Sequence, residues 1–132
     1  MTSRWTGGRA RRTTSRKAGA AAERDARRHL QSAGLEFIAQ NVRYRQGEID
    51  LVMRDGTCLV FVEVRFRASP RFVAPLLTVD LHKQRRLARA AALYLARDRR
   101  LASTPVRFDV VAVERAPGGR AAIQWVRDAF RV

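Results

Sequence analysis

The amino-acid sequence predicts an α/β domain, a mixed sheet with helices packed on it, and three observations carry that expectation. Two segments repeat apolar residues at steps of three and four, the period of one helix face. Five segments alternate or run continuously in Val, Ile and Phe between turn residues, as strands do. They follow one another as α-β-β-β-α-β-β, and a chain of 132 residues can enclose one hydrophobic core of that kind.

The first 17 residues hold Gly, Ser, Thr and six basic residues, with no acid and no apolar period. They are expected to form a disordered basic arm, leaving 18–132 as a single folded domain. From Ala18 to Ala33 the residues Ala22, Ala26, Leu30 and Ala33 mark one helix face, and Gly34 supplies the stop. Leu35 to Tyr44 reads as the first strand, Gln46-Gly47 as a turn, and Glu48 to Met53 as the second strand. Asp55-Gly56 is a hairpin loop, and Thr57 to Arg67 the third strand. A loop with Ser69-Pro70 and Pro75 follows. Thr78 or Asp80 then caps a second helix that runs to about Arg100, with Leu87, Ala90, Ala91, Tyr94 and Leu95 on its apolar side. Ser103-Thr104-Pro105 breaks the chain before a fourth strand, Val106 to Glu114. Pro117-Gly118-Gly119 turns it into a fifth, Ala121 to Val126.

The composition speaks to partners. There are 27 basic residues against 12 acidic ones, a formal charge of +15. A surface so basic favours polyanions, which release counterions on binding, and nucleic acid is the first candidate. An anionic membrane is the second, but no amphipathic segment carries the Trp and Phe of a lipid-facing helix. Only Lys17 and Lys83 are lysines. The arginine excess therefore also carries the mark of GC-rich coding, and the charge is discounted to that extent. Cys58 is the only cysteine, which excludes an intrachain disulfide and a cysteine-built zinc site. It stands in an apolar run and is expected to be a buried structural residue. His29 and His82 are too few for a histidine metal cage. No stretch approaches the roughly 18 apolar residues of a membrane span, and no apolar leader opens the chain, so a cytoplasmic protein is expected.

Acids placed against this background draw notice. With Asp55-Gly56 as a two-residue loop, Glu48 lies opposite Glu63 and Asp50 opposite Phe61. Asp50 and Glu63 then share a face as diagonal neighbours, roughly 7–8 Å apart at the backbone. Glu63 interrupts Leu59-Val60-Phe61-Val62 and Val64, the pattern of a central strand, where a lone carboxylate is costly unless paired or metal-bound. A cation relieves both that cost and the mutual repulsion, and all-oxygen ligands suit Mg²⁺ or Mn²⁺. Arg65 and Arg67 follow on the same face. The competing reading makes Glu63 and Arg65 a structural ion pair and leaves Asp50 at the surface. Glu23 borders the stripe of the first helix, where an acid also simply suits the helix dipole. Lys83 projects from the start of the second helix on the sheet side, toward a phosphate or toward water, with Gln84 beside it. Asp109 is read as structural, paired with an arginine of a neighbouring strand.

Several blocks together resemble the bacterial YraN family. They are Gly19–Glu23 with Ala26 and Leu30, Asn41-Val42-Arg43, Gly47-Glu48-Ile49-Asp50-Leu51, Val60–Arg65, Lys83–Leu87, Arg107–Val111 and Asp128-Ala129-Phe130. That family is similar to the PD-(D/E)XK nucleases and Holliday-junction resolvases. The resemblance implies a restriction-endonuclease-like central mixed five-stranded sheet flanked by helices. It implies a metal site with Glu23 as helix acid and Asp50 and Glu63 as sheet acids. It further implies that Arg65 and Lys83 steady charge on a phosphate, and that Arg43, Arg45, Arg67, Gln84, Arg85 and Arg86 contact a DNA backbone. Two departures stand out. Arg65 occupies the superfamily's lysine position and, staying charged, cannot act as a base. Ala22 stands where glycine is expected. The function implied is a Mg²⁺-dependent endonuclease on DNA, branched or structured. The alternatives are a nucleic-acid-binding protein on the same fold that cleaves weakly or not at all, and an adaptor for an acidic protein. A homodimer follows by analogy with resolvases only.

Overall fold

A computed structural model describes residues 18–67, 79–115 and 118–131. The basic arm over 1–17, the Ser69-Pro70 and Pro75 loop, and Thr78 lie outside the described residues. Helix α1 covers 18–32. Strands β1 (Glu36–Tyr44), β2 (Gly47–Asp55) and β3 (Cys58–Arg67) follow, then α2 (Leu81–Ala96), a single 3-10 turn (Arg99–Leu101), β4 (Val106–Arg115) and β5 (Ala121–Phe130). The five strands lie side by side in chain order. β3 and β4 run parallel, across the connection that holds α2, and the other neighbours are antiparallel. The expected mixed sheet with flanking helices is thus present.

Each helix covers one face. Ala22, Ala26 and Leu30 press α1 onto Leu51, Met53, Val60, Val62, Val111 and Val113. Alanines on that stripe let the helix axis come close to the sheet, and Asp25 ties α1 to β4 through Arg115. Ala33, expected on the stripe, is exposed because the helix has already ended. On the other face Leu87, Ala90 and Ala91 of α2 meet Ile49, Val52, Leu59, Phe61 and Phe108. The N-cap of α2 is Asp80, whose carboxylate accepts from the Lys83 N–H at 2.8 Å. The helix stops at Ala96, short of Arg100, because Asp98 caps a separate 3-10 turn. β5 runs four residues past its expected end. Asp109, fully buried on β4, holds that extension by accepting from Trp125 Nε1 and Asp128 N, each at 2.9 Å. Its arginine partner is Arg107 of its own strand, at 3.0 Å, and not one from a neighbour. Arg107 reaches on to Asp55 at 2.8 Å.

The β2–β3 hairpin corrects the expected register. Asp55 pairs with Cys58, so the two loop residues are Gly56 and Thr57, with Gly56 at φ 61°. The pairing moves by two residues, which preserves the side-chain phase. Continued along the strands, it brings Asp50 level with Glu63 itself. Cys58 is half-buried at the strand start rather than sealed in the core.

Candidate metal centre

β2 and β3 do not stay together. Their ladder ends at Leu51↔Val62, beyond which β2 follows β1 down to Tyr44↔Gly47 and β3 follows β4 to Arg67↔Glu114. The strands part at the level of Asp50 and Glu63. The pleat also changes phase there. Val52 and Ile49, three residues apart, both pack on the α2 side, whereas strict alternation would send Ile49 to the α1 side with Leu51. On β1, Asn41 stands in the left-handed region at φ 52°, between the pairs Gln40↔Leu51 and Val42↔Ile49. Asparagine tolerates that conformation better than most side chains. The kink turns Asp50 into the opening between strands, where its Oδ2 accepts from the Val64 N–H at 2.8 Å. A backbone donor freed by the parting strands is thereby satisfied.

The two carboxyl groups meet in this opening. Asp50 and Glu63 are within hydrogen-bonding reach of one another, and the Asp50 pKa is pushed up to about 8. Burial is the largest cause, and the charge of Glu63 the next. Glu63 is only 6% exposed. Lys83 Nζ stands 2.7 Å from its Oε2, and Arg65 Nη1 3.6 Å. The Lys83 contact is an ion pair without hydrogen-bond alignment and Arg65 stands too far for a hydrogen bond, so this buried oxygen has none. A cleft of about 360 Å³ opens over the pair, lined by Glu48, Asp50, Glu63, Asp80, His82, Lys83 and Arg86 among others.

Glu23 approaches from α1. Burial pushes its pKa up, while the Asn41 amide, once turned so that its nitrogen faces the carboxylate, donates to both oxygens at 3.2 Å and acts against that. Its charge is felt at Asp50. Among the described residues, however, no group of three His, Cys, Asp or Glu side chains gathers closely enough to hold a metal ion. The structure therefore brings Asp50, Glu63, Lys83 and Arg65 together and keeps Glu23 at one remove.

The remaining candidates are dispersed. Arg43 faces Glu48 across β1 and β2 at 3.6 Å, both exposed, and Arg45 is exposed in the turn beside them. Arg67 is half-buried and bonded to Glu114 at 2.9 Å. Gln84 donates to Val79 O at 2.7 Å, steadying the chain ahead of α2. Arg85 and Arg86 are exposed on α2, and Arg86 borders the cleft.

Sequence reasoning missed three contributors. Asn41 signals itself only as a polar residue inside a strand. The Val64 N–H carries no side-chain signal at all. Gly47 is more than part of a turn. It is the buried first residue of β2, and a Cβ there would stand 2.3 Å from the Arg86 carbonyl oxygen. Glycine is what lets α2 seat its backbone on β2 and bring Lys83 over Glu63.

The residues suit a hard divalent cation. The donors are oxygens, one of them is buried without a hydrogen bond, and the burial and neighbouring Glu63 charge that raise the Asp50 pKa are what a cation relieves. Comparison with known proteins agrees with the resemblance in the sequence. The family model described as "Uncharacterised protein family UPF0102" matches residues 22–113. A UPF0102 protein of Xanthomonas campestris pv. campestris is 52% identical over 114 residues, 86% of this chain and 91% of that one. One from Xylella fastidiosa is 48% identical over 117 residues, 89% and 94% of the two chains. One from Pseudomonas fluorescens is 45% identical over 117 residues, 89% and 95%. The matched span contains Glu23, Asp50, Glu63, Arg65 and Lys83, and the chain belongs to the UPF0102 (YraN) family.

Proposed function

We propose that this protein is a metal-dependent nuclease that hydrolyses phosphodiester bonds in DNA, branched or structured DNA included, in the bacterial cytoplasm. The observation that carries the reading is the Asp50–Glu63 pair. A half-buried and a buried carboxyl group come within hydrogen-bonding reach at the parting of two strands, Asp50 with its pKa near 8 and Glu63 with an oxygen left without a hydrogen bond. A purely structural site would pair each acid with its own cation, and Asp50 has no such partner among the described residues.

In this reading Asp50 and Glu63 would hold Mg²⁺ or Mn²⁺, with Glu23 as a direct or water-mediated ligand. Such an ion, held by these residues, would supply Lewis acidity toward the phosphate and a water of lowered pKa. Lys83 and Arg65 offset the negative charge that builds on the phosphate oxygens as the water oxygen attacks and the P–O bond breaks. Arg65 keeps its proton throughout and acts by charge alone. Arg86 at the cleft, Arg85 beside it on α2, and Arg43 and Arg45 at the β1–β2 turn, all exposed, grip backbone phosphates without reading sequence. Arg67 and Gln84, bonded within the domain, act on DNA only through the placement of their neighbours. A pair of subunits would allow both strands to be cut.

A second reading has its own support. Arg65 in the lysine position, and the absence of a three-acid cluster among the described residues, favour a nucleic-acid-binding protein that no longer cleaves. One assay separates the two. Plasmid and a synthetic four-way junction are incubated with the protein in Mg²⁺, Mn²⁺ or chelator. Cleavage that needs the metal and vanishes in Asp50→Asn supports the nuclease. Tight, salt-sensitive binding without cleavage supports the second reading.

A further inference from the structure

Glu63 has more positive charge around it than one carboxylate needs. Lys83 and Arg65 both face its Oε2, at 2.7 and 3.6 Å, while Asp50 has neither. The two cations are anchored differently. Arg65 rises from the central strand with its side chain 27% exposed. Lys83 reaches in from the first turn of α2 and is 48% exposed, on a flexible stem able to carry its head outward. Its backbone is fixed, by the Asp80 cap at its N–H and by the close seat of α2 on Gly47. Only the stem can move. The ammonium also satisfies its partner incompletely, since Oε2 is buried and lacks an aligned hydrogen bond.

We propose that Lys83 is the resident counter-charge of the carboxylate pair: it holds Glu63 while no metal is present, releases it when a divalent cation is bound, and then offers its ammonium to a phosphate at the cleft mouth. This inference rests on the metal-site reading above. A divalent ion beside Glu63 leaves the local charge too positive for both basic groups to remain. Lys83, the more exposed, swings outward, while Arg65 stays in place. The domain therefore carries a group whose affinity for phosphate depends on metal loading, without movement of the backbone.

Calorimetric titration of Mn²⁺ into the full chain above pH 8 tests the proposal, on the wild type, Lys83→Met, Lys83→Gln and Arg86→Met. Arg86 borders the same cleft but does not contact Glu63, so its variant measures the general field. Both Lys83 variants are expected to bind Mn²⁺ about tenfold more tightly than the wild type, and Arg86→Met within about threefold of it. A duplex oligonucleotide supplies a second readout, in Ca²⁺ and in chelator. Lys83→Met is expected to lower the slope of log K against log salt by about one in Ca²⁺ and to leave it unchanged in chelator. Equal slopes in the two conditions overturn the proposal. So does Mn²⁺ binding that is no tighter in the Lys83 variants, or equally tighter in Arg86→Met; either leaves the metal site standing. If neither the wild type nor the variants take up Mn²⁺, the metal site itself falls, and this proposal with it.

Discussion

Replacing Asp50 by Asn should make the metal-free protein more stable at alkaline pH, although it removes a residue of the candidate site. Asn is nearly isosteric, its Oδ1 can keep the bond from the Val64 N–H, and its amide can donate to Glu63. The folded Asp50 carboxyl titrates near 8 against an ordinary value of 3.8. Below about pH 4 the group is neutral whether the chain is folded or not, and stability does not depend on it. Between about 4 and 8 the folded chain holds a proton that the unfolded chain has lost, so stability falls as pH rises; above 8 the loss is complete. Each pH unit in that window is worth at most about 1.4 kcal/mol. From pH 6 to pH 9 the wild type should therefore lose up to about 2–3 kcal/mol that the variant retains. Urea unfolding followed by tryptophan fluorescence at both values measures it, and other groups titrating in that range cancel in the difference between the proteins. Saturating Mg²⁺ at pH 9 should restore the wild type and leave Asp50→Asn unmoved. Parallel pH profiles for the two proteins, or a variant less stable at pH 9, would refute the claim that Asp50 is held protonated by burial and by Glu63.

Two further substitutions probe how the site is positioned. Gly47→Ala forces a Cβ to within 2.3 Å of the Arg86 carbonyl; it should lower stability by about 1–3 kcal/mol in urea and weaken metal binding, because α2 must lift and carry Lys83 with it. Asp109→Ala leaves Arg107 with Asp55 alone and removes the acceptor for Trp125 and Asp128; a loss of about 3–5 kcal/mol is expected, with a shift in Trp125 emission.

The elements were legible because each is locally consistent. Apolar period, caps and turn residues agree for α1, α2 and the strands, so only their ends moved. α2 ended early because Asp98 caps a separate turn, and β5 ran long because a buried acid on another strand holds its end. Asp98 is a local cap that a sequence can show, whereas nothing local reports the hold of Asp109 on β5. The Asp50–Glu63 proximity survived an error in register because a shift of two residues preserves side-chain phase. The manner of their meeting was not legible. It depends on the left-handed Asn41, the changed pleat and the parting of β2 from β3, which are tertiary facts. Lys83 was seen to face the sheet; that its target was Glu63 needed the close seat of α2 that Gly47 permits.

Neighbour-to-neighbour strand order has a kinetic consequence. The meander β1–β3 closes through two turns of two residues each, so little loop entropy opposes it. Joining β3 to β4 must wait for the whole crossover through α2. Pulsed hydrogen exchange during refolding should find amides of Leu51 and Val62 protected before those of Val110 and Val111. Both acids would then be drawn together in the nucleus, ahead of the lysine that pairs with Glu63. Refolding above pH 8 should accordingly be slower than at pH 6, an electrostatic toll on the transition state that dissolved Mg²⁺ would lift.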